Sequence, residues 1–164
     1  MRKLSPSTSG AYQREGRSGI KSGIGMKATI TWVKGGRLLA ESGTGHSLPM
    51  HAKILGDEVT SAPSPMEYVL MGMGGCTAVD VIHILSKGRH DVRDCVASVD
   101  AERAPEDPKV FTRIHVHFVV TGKQLKPEAV ARAIELSAEK YCSASIMLGK
   151  TATITHDFEV VEAE

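Results

Sequence analysis

The sequence predicts an α+β fold with mainly antiparallel strands, on three observations. Two regions, residues 27–53 and 92–121, alternate apolar and polar side chains at the two-residue period of strands. Between them runs a long apolar segment, Ser64 to Lys87, with helix start and stop signals at its ends. Strands, long helix, two strands, helix, short helix and strand then succeed one another in blocks, the α+β pattern.

Residues 1–25 hold five Lys or Arg and one Glu among Ser and Gly, with almost nothing to bury. A disordered extension is expected there, with Met26 a candidate start and a transit peptide the alternative reading. Residues 26–164 form the one expected domain. It opens on a strand with Ala28, Ile30 and Trp32 on one face and Lys27, Thr29, Thr31 and Val33 on the other. Gly35-Gly36 marks a hairpin turn, and Arg37 to Ser42 is the returning strand. His46 to Lys53 makes a third, which Pro49 consigns to a sheet edge. A loop with Asp57, Glu58 and Pro63 leads on to the helix.

The helix begins as a capping box, with Ser64 as cap, Pro65 at the first helical position and Glu67 three residues after the cap; Gly88 ends it. From Met66 to Ala78 the only charge is Glu67. This half should be covered on nearly every side. Gly72, Gly74 and Gly75 each cost the helix about 1 kcal/mol relative to alanine. Close approach of another backbone or a substrate is the expected compensation, and Cys76 sits one turn after Gly72.

Val92 to Arg103 alternates as a strand, with Val92, Asp94, Val96 and Ser98 set against Arg93, Cys95, Ala97 and Val99. After the turn Ala104 to Pro108, Val110 to Thr121 should bury Ile114, Val116, Phe118 and Val120, face Arg113, His115 and His117 outward, and end at Thr121-Gly122. Pro127 opens a second helix carrying Val130, Ala133 and Ile134 on its apolar face, which breaks near Tyr141. Ser143 or Ser145 is the expected cap of a short third helix through Leu148. Lys150 to Val161 is the last strand.

Net charge is +1 for 164 residues, split as +4 in the first 25 and −3 in the rest. A mildly acidic body without interleaved basic and aromatic residues argues against a nucleic-acid partner. No membrane span is expected. Three cysteines make no disulfide framework, and the cytoplasm, where thiols stay reduced, is the expected compartment. Cys142 falls at a helix break before a new helix, where partial positive charge and free amides favour a thiolate.

The segment SPMEYVLMGMGGCTAVDVIHIL, with Pro65, Glu67 and Cys76, resembles the central-helix signature of the OsmC/Ohr superfamily, and YCSASIML, with Cys142, resembles its second cysteine site. WVKGGRLLAESGTGH and KYCSASIMLGKTATITH are similar to the YhfA-like branch. The resemblance spans Met26 to the C-terminus. It implies an OsmC-like fold, antiparallel sheets wrapped around long central helices in an intertwined homodimer, with active sites at the dimer interface. It also implies thiol-dependent reduction of organic hydroperoxides in oxidative or osmotic stress defence. Cys76 would be the attacking thiolate, Cys142 the resolving thiol, and a cellular thiol or dithiol the reductant. No cofactor or metal is implied. Arg37, after Gly35-Gly36, is the candidate cation to stabilise the Cys76 thiolate, paired with Glu67, which also has a complete structural role as the capping-box acid. Ser143 departs from the Cys-Pro pattern common in the superfamily. The alternative is a non-catalytic small-molecule binder or redox sensor using the same interface pocket.

Other residues invite weaker readings. His115 and His117 share a strand face, but no third metal ligand lies nearby in sequence, so a solvent-facing pair is expected. Cys76, Asp80 and His83 line one helix face, yet residues on one straight helix converge poorly for a hydrolase triad. Cys95 is expected to be structural. Met66, Met71 and Met73 read as core filler.

Overall fold

The computed structural model describes residues 25–53 and 59–164. The expected disordered extension, apart from Gly25, and the loop acids Asp57 and Glu58 lie outside the described residues. Two three-stranded sheets flank a long helix. The first is the expected meander of β1 (Ala28–Lys34), β2 (Arg37–Ser42) and β3 (Ser47–His51), antiparallel in that order. Gly35 turns the hairpin at φ +57°, a left-handed conformation that glycine adopts without a Cβ clash. Pro49 lies in an edge strand as expected, and its carbonyl accepts a 2.7 Å hydrogen bond from Tyr68 Oη on the helix.

The face of this sheet that carries Ala28, Ile30 and Trp32 is not covered by any described residue. Ala28, Ile30 and Trp32 are all exposed, Trp32 by 69%. Alternation set the strand conformation correctly, but no element among the described residues packs over it.

Helix α1 (Pro65–Lys87) has its capping box complete, with Ser64 Oγ accepting from the Glu67 amide and Glu67 Oε2 accepting from the Ser64 amide at 2.7 Å. Gly88 closes it. Within the described residues of one chain, α1 is covered on one side. Met73, Gly74, Thr77, Val81 and Leu85 form the buried stripe, whereas Met71, Gly72, Gly75, Val79 and Ile82 are exposed, Val79 by 65%. By length and mean hydropathy, 1.5 over 18 residues, α1 is also apolar enough to cross a bilayer, which the sequence reading did not expect. Its capping and packing are those of a core helix lacking a cover on one side.

The second sheet, β4 (Asp91–Arg103), β5 (Phe111–Lys123) and β6 (Thr153–Glu162), holds the core. Ile114, Val116, Phe118 and Val120 are buried as expected. An irregularity between Val92 and Asp94 swings Val92 to the inward side with Cys95, Ala97 and Val99, correcting the face expected from simple alternation. Gly122 does not end β5; it pairs with Val92 and Glu162, and a Cβ there would strike the Asp91 carbonyl. The pair β5–β6 is parallel, the exception in a mainly antiparallel fold. Parallel neighbours need a long crossover. Here it is α2 (Pro127–Leu136), a π-helical turn (Ser137–Tyr141) and α3 (Ser143–Leu148), which carry Cys142 to α1.

Candidate active site

Cys76, Asp80 and Cys142 converge. The two sulfurs and an Asp80 carboxylate oxygen all lie within 4.8 Å of one another. Cys76 and Asp80 are one turn apart on α1, and thus neighbours on its surface. Cys142 arrives from the crossover, 66 positions later in the chain. Cys142 is fully buried and Cys76 partly exposed.

The π-helical turn sets the position of Cys142. Its amide donates to the Ser137 carbonyl at 2.8 Å, closing a wider turn than an α-helix makes, and such turns recur at functional sites. Cys142 itself is the cap of α3, in place of the expected Ser143 or Ser145. Its Sγ accepts from the Ser145 amide at 3.4 Å and from Ser145 Oγ at 3.2 Å. Ser143 occupies the first helical position. Sulfur caps lie outside the usual Ser, Thr, Asp and Asn set, so capping preference pointed to the neighbouring serines.

Behind the thiols runs a buried polar chain. Thr77 Oγ1 and Ser137 Oγ are 3.0 Å apart, and Ser137 Oγ donates to Asp80 Oδ2 at 3.1 Å. Thr77 and Ser137 are fully buried, so these bonds satisfy hydroxyls that would otherwise be costly inside the core. Sequence reading missed Ser137 and Ser145 as site residues and set Asp80 beside Cys76 only within a hydrolase triad with His83, which is exposed.

Burial pushes the Cys76 thiol pKa up, and the adjacent Cys142 and the Asp80 carboxylate push the same way; only the Ala144 amide opposes them. No cation among the described residues contributes to this balance. Arg37 is exposed on β2 and makes no ion pair with any described residue. Glu67 precedes Cys76 by nine residues, two and a half helical turns, and so projects from the opposite side of α1. Its hydrogen bonds from Ser64 hold its carboxyl below the usual range. Glu67 instead lines an open apolar groove of about 470 Å³ with Leu70, Gly74, Ala78, Ala97 and Val99. The structure therefore joins Cys76 to Cys142, and within one chain it brings neither Arg37 nor Glu67 to them.

Close approach at the helical glycines is realised at Gly74, where a Cβ would come within 2.9 Å of Val99 Cγ2. Gly72 and Gly75 face open space. Cys95 packs at the core edge of β4, and burial raises its thiol pKa, as suits an inert cysteine. His83 is exposed. His115 and His117 do have a neighbouring carboxylate: parallel pairing brings Asp157 alongside, 2.6 Å from His117 Nδ1 and 3.3 Å from His115 Nε2. Forty residues of sequence separate Asp157 from His117, which is why local spacing gave no sign of it.

A half-uncovered apolar helix presenting one cysteine to a second at the start of a short helix, between two small sheets, defines a paired-thiol α+β protein. The chain belongs to the OsmC-like protein family, whose profile matches residues 56–157. It is similar to protein YhfA of Escherichia coli K12, with 53% identity over 138 residues covering 84% of this chain and all of the relative. Among solved structures, an OsmC-like protein from Mycoplasma pneumoniae superposes with a TM-score of 0.71 at 12% identity, covering 87% of this chain and 99% of the other. The organic hydroperoxide resistance protein OhrB of Bacillus subtilis gives 0.59 at 15% identity, covering 83% and 98%. These two likenesses concern the fold.

Proposed function

We propose that the protein is a homodimeric, thiol-dependent peroxidase acting on organic hydroperoxides in stress defence, working in the reducing cytoplasm. The observation that carries this reading is the convergence of Cys76 and Cys142. Cys76 thiolate attacks the distal peroxide oxygen; the O–O bond breaks, the alkoxide takes a proton and leaves as an alcohol, and Cys76 becomes a sulfenic acid. Cys142 sulfur then attacks the Cys76 sulfur, water departs and a disulfide forms. A dithiol or two thiols return both cysteines to the reduced state by exchange, themselves becoming the disulfide.

The raised Cys76 pKa calls for a cation from elsewhere. A second copy supplies one in this proposal. The exposed stripe of Gly72, Gly75, Val79 and Ile82 repeats at helical spacing and accepts another α1. The meander, which has no core among the described residues, wraps the second copy and presents Arg37 to that copy's Cys76. Three strands without a covered hydrophobic face are marginal alone.

Titration of the reduced protein with cumene hydroperoxide, with thiol counting and mass-spectrometric mapping, tests the cycle. Two thiols should be lost per chain, with a Cys76–Cys142 disulfide and Cys95 still reduced. No loss, or slow over-oxidation without that disulfide, would retire it. Arg37→Ala should move the pH midpoint of Cys76 alkylation upward in the dimer; an unchanged midpoint would remove Arg37 from the mechanism. The open groove beside Glu67 favours one second reading, a non-catalytic binder of apolar small molecules. Ligand binding unaltered by Cys76→Ser, with no peroxide-driven disulfide, would select it.

A further inference from the structure

We propose that reduced Cys76, Cys142 and Asp80 form a binding site for one zinc ion per chain. Zinc takes thiolate sulfur at about 2.3 Å and carboxylate oxygen at about 2.0 to 2.2 Å in a tetrahedral array, which sets neighbouring donors about 3.5 to 3.8 Å apart. The three donors here already lie within 4.8 Å of one another, so small side-chain rotations close the site. Two come from successive turns of a rigid helix and the third from another element. That leaves a fourth position for water on the side where Cys76 is partly exposed.

The surrounding hydrogen bonds are those a metal site needs. Ser137 holds Asp80 Oδ2 and is itself held by Thr77, which fixes the carboxylate and leaves its other oxygen for the ion. The Ser145 amide and hydroxyl point at Cys142 Sγ and would stabilise it as thiolate. Two thiolates and a carboxylate packed this closely repel one another, and a divalent cation offsets that repulsion. Two thiols replace water on the ion, two protons leave, and no electron moves. A sulfur bound to zinc shares its negative charge with the ion and attacks a peroxide more slowly than the free thiolate, so the ion would hold the thiol pair in reserve.

The inference does not depend on peroxidase activity and is tested without peroxide. Metal-free, reduced, full-length protein is titrated with Zn2+ against a chromophoric competitor, and with Co2+ while sulfur-to-cobalt charge-transfer absorption is followed. One equivalent, the charge-transfer band and strong slowing of Cys76 alkylation by zinc are expected. Asp80→Asn should weaken binding by about tenfold or more. Cys142→Ser should abolish the band; should that variant fail to fold, zinc protection of Cys76 in the unaltered protein decides the matter. Zinc that binds without slowing alkylation, or binding lost only on replacing His115 and His117, would overturn the assignment.

Discussion

The two sheets have three strands each and similar alternation, yet among the described residues only one has an interior. β5 buries Phe118, Val116 and Val120 completely, while β1 leaves Trp32, Ile30 and Val33 exposed. The difference lies in the element that comes next along the chain. After β5 the crossover returns helices over the sheet, whereas β3 leads away into α1, which packs on β4 instead. Alternation therefore reports that a strand has two unlike faces. It does not report which chain covers the apolar one.

Substitutions in the two sheets sharpen this contrast. Phe118→Ala should cost about 3 to 5 kcal/mol by denaturant unfolding, independent of protein concentration, because its pocket is wholly within one chain. Trp32→Ala should cost about 2 kcal/mol in dimer affinity, an expectation taken from aromatic anchors at interfaces. Its effect on the melting temperature should shrink as concentration rises. A concentration-independent loss at Trp32 would show that its cover comes from the same chain.

The helical glycines give a smaller effect whose sign is informative. Gly74→Ala meets Val99 and should destabilise by about 1 to 3 kcal/mol. Gly75→Ala meets nothing among the described residues and gains about 1 kcal/mol of helix propensity. If a second α1 packs at Gly75, sedimentation should show a weakened dimer; a more stable, unchanged dimer would move the interface elsewhere.

The smallest effect tests the interior of the second sheet. His156 stacks near Phe118, its Nε2 is buried without a hydrogen-bond partner among the described residues, and burial lowers its pKa from 6.5. The unfolded chain takes up this proton as pH falls through 6.5, while the folded chain resists it. Stability present above that pH should thus decline below it. His156→Gln should flatten the denaturation midpoint measured between pH 7.5 and 5; an identical slope would assign the acid sensitivity to other groups.

Much of the local structure was legible in the sequence. The α1 capping box and the β2 limits Arg37 and Ser42 arise from side-chain chemistry acting over a few residues, and they stand as expected. The inward facing of Ile114, Val116, Phe118 and Val120 on β5 came from alternation in the same way. The facing of Val92 was not legible, because a bulge depends on the partner strand's fit and not on the strand's own pattern.

The site was half legible. Cys76 and Cys142 carried it through their motifs and Asp80 stood beside Cys76 by helical spacing, but Ser137 and Ser145 joined it only in the fold, and within one chain Glu67 lies on the other side of α1. By itself the sequence determined each element and its chemistry, since propensity, capping and periodicity act locally. The tertiary structure decided what met what: a parallel crossover brought Cys142 to Cys76 and Asp157 to His117, and packing covered one side of α1. Those contacts join residues some 40 to 66 positions apart, a span over which sequence periodicity carries no record of which faces will meet.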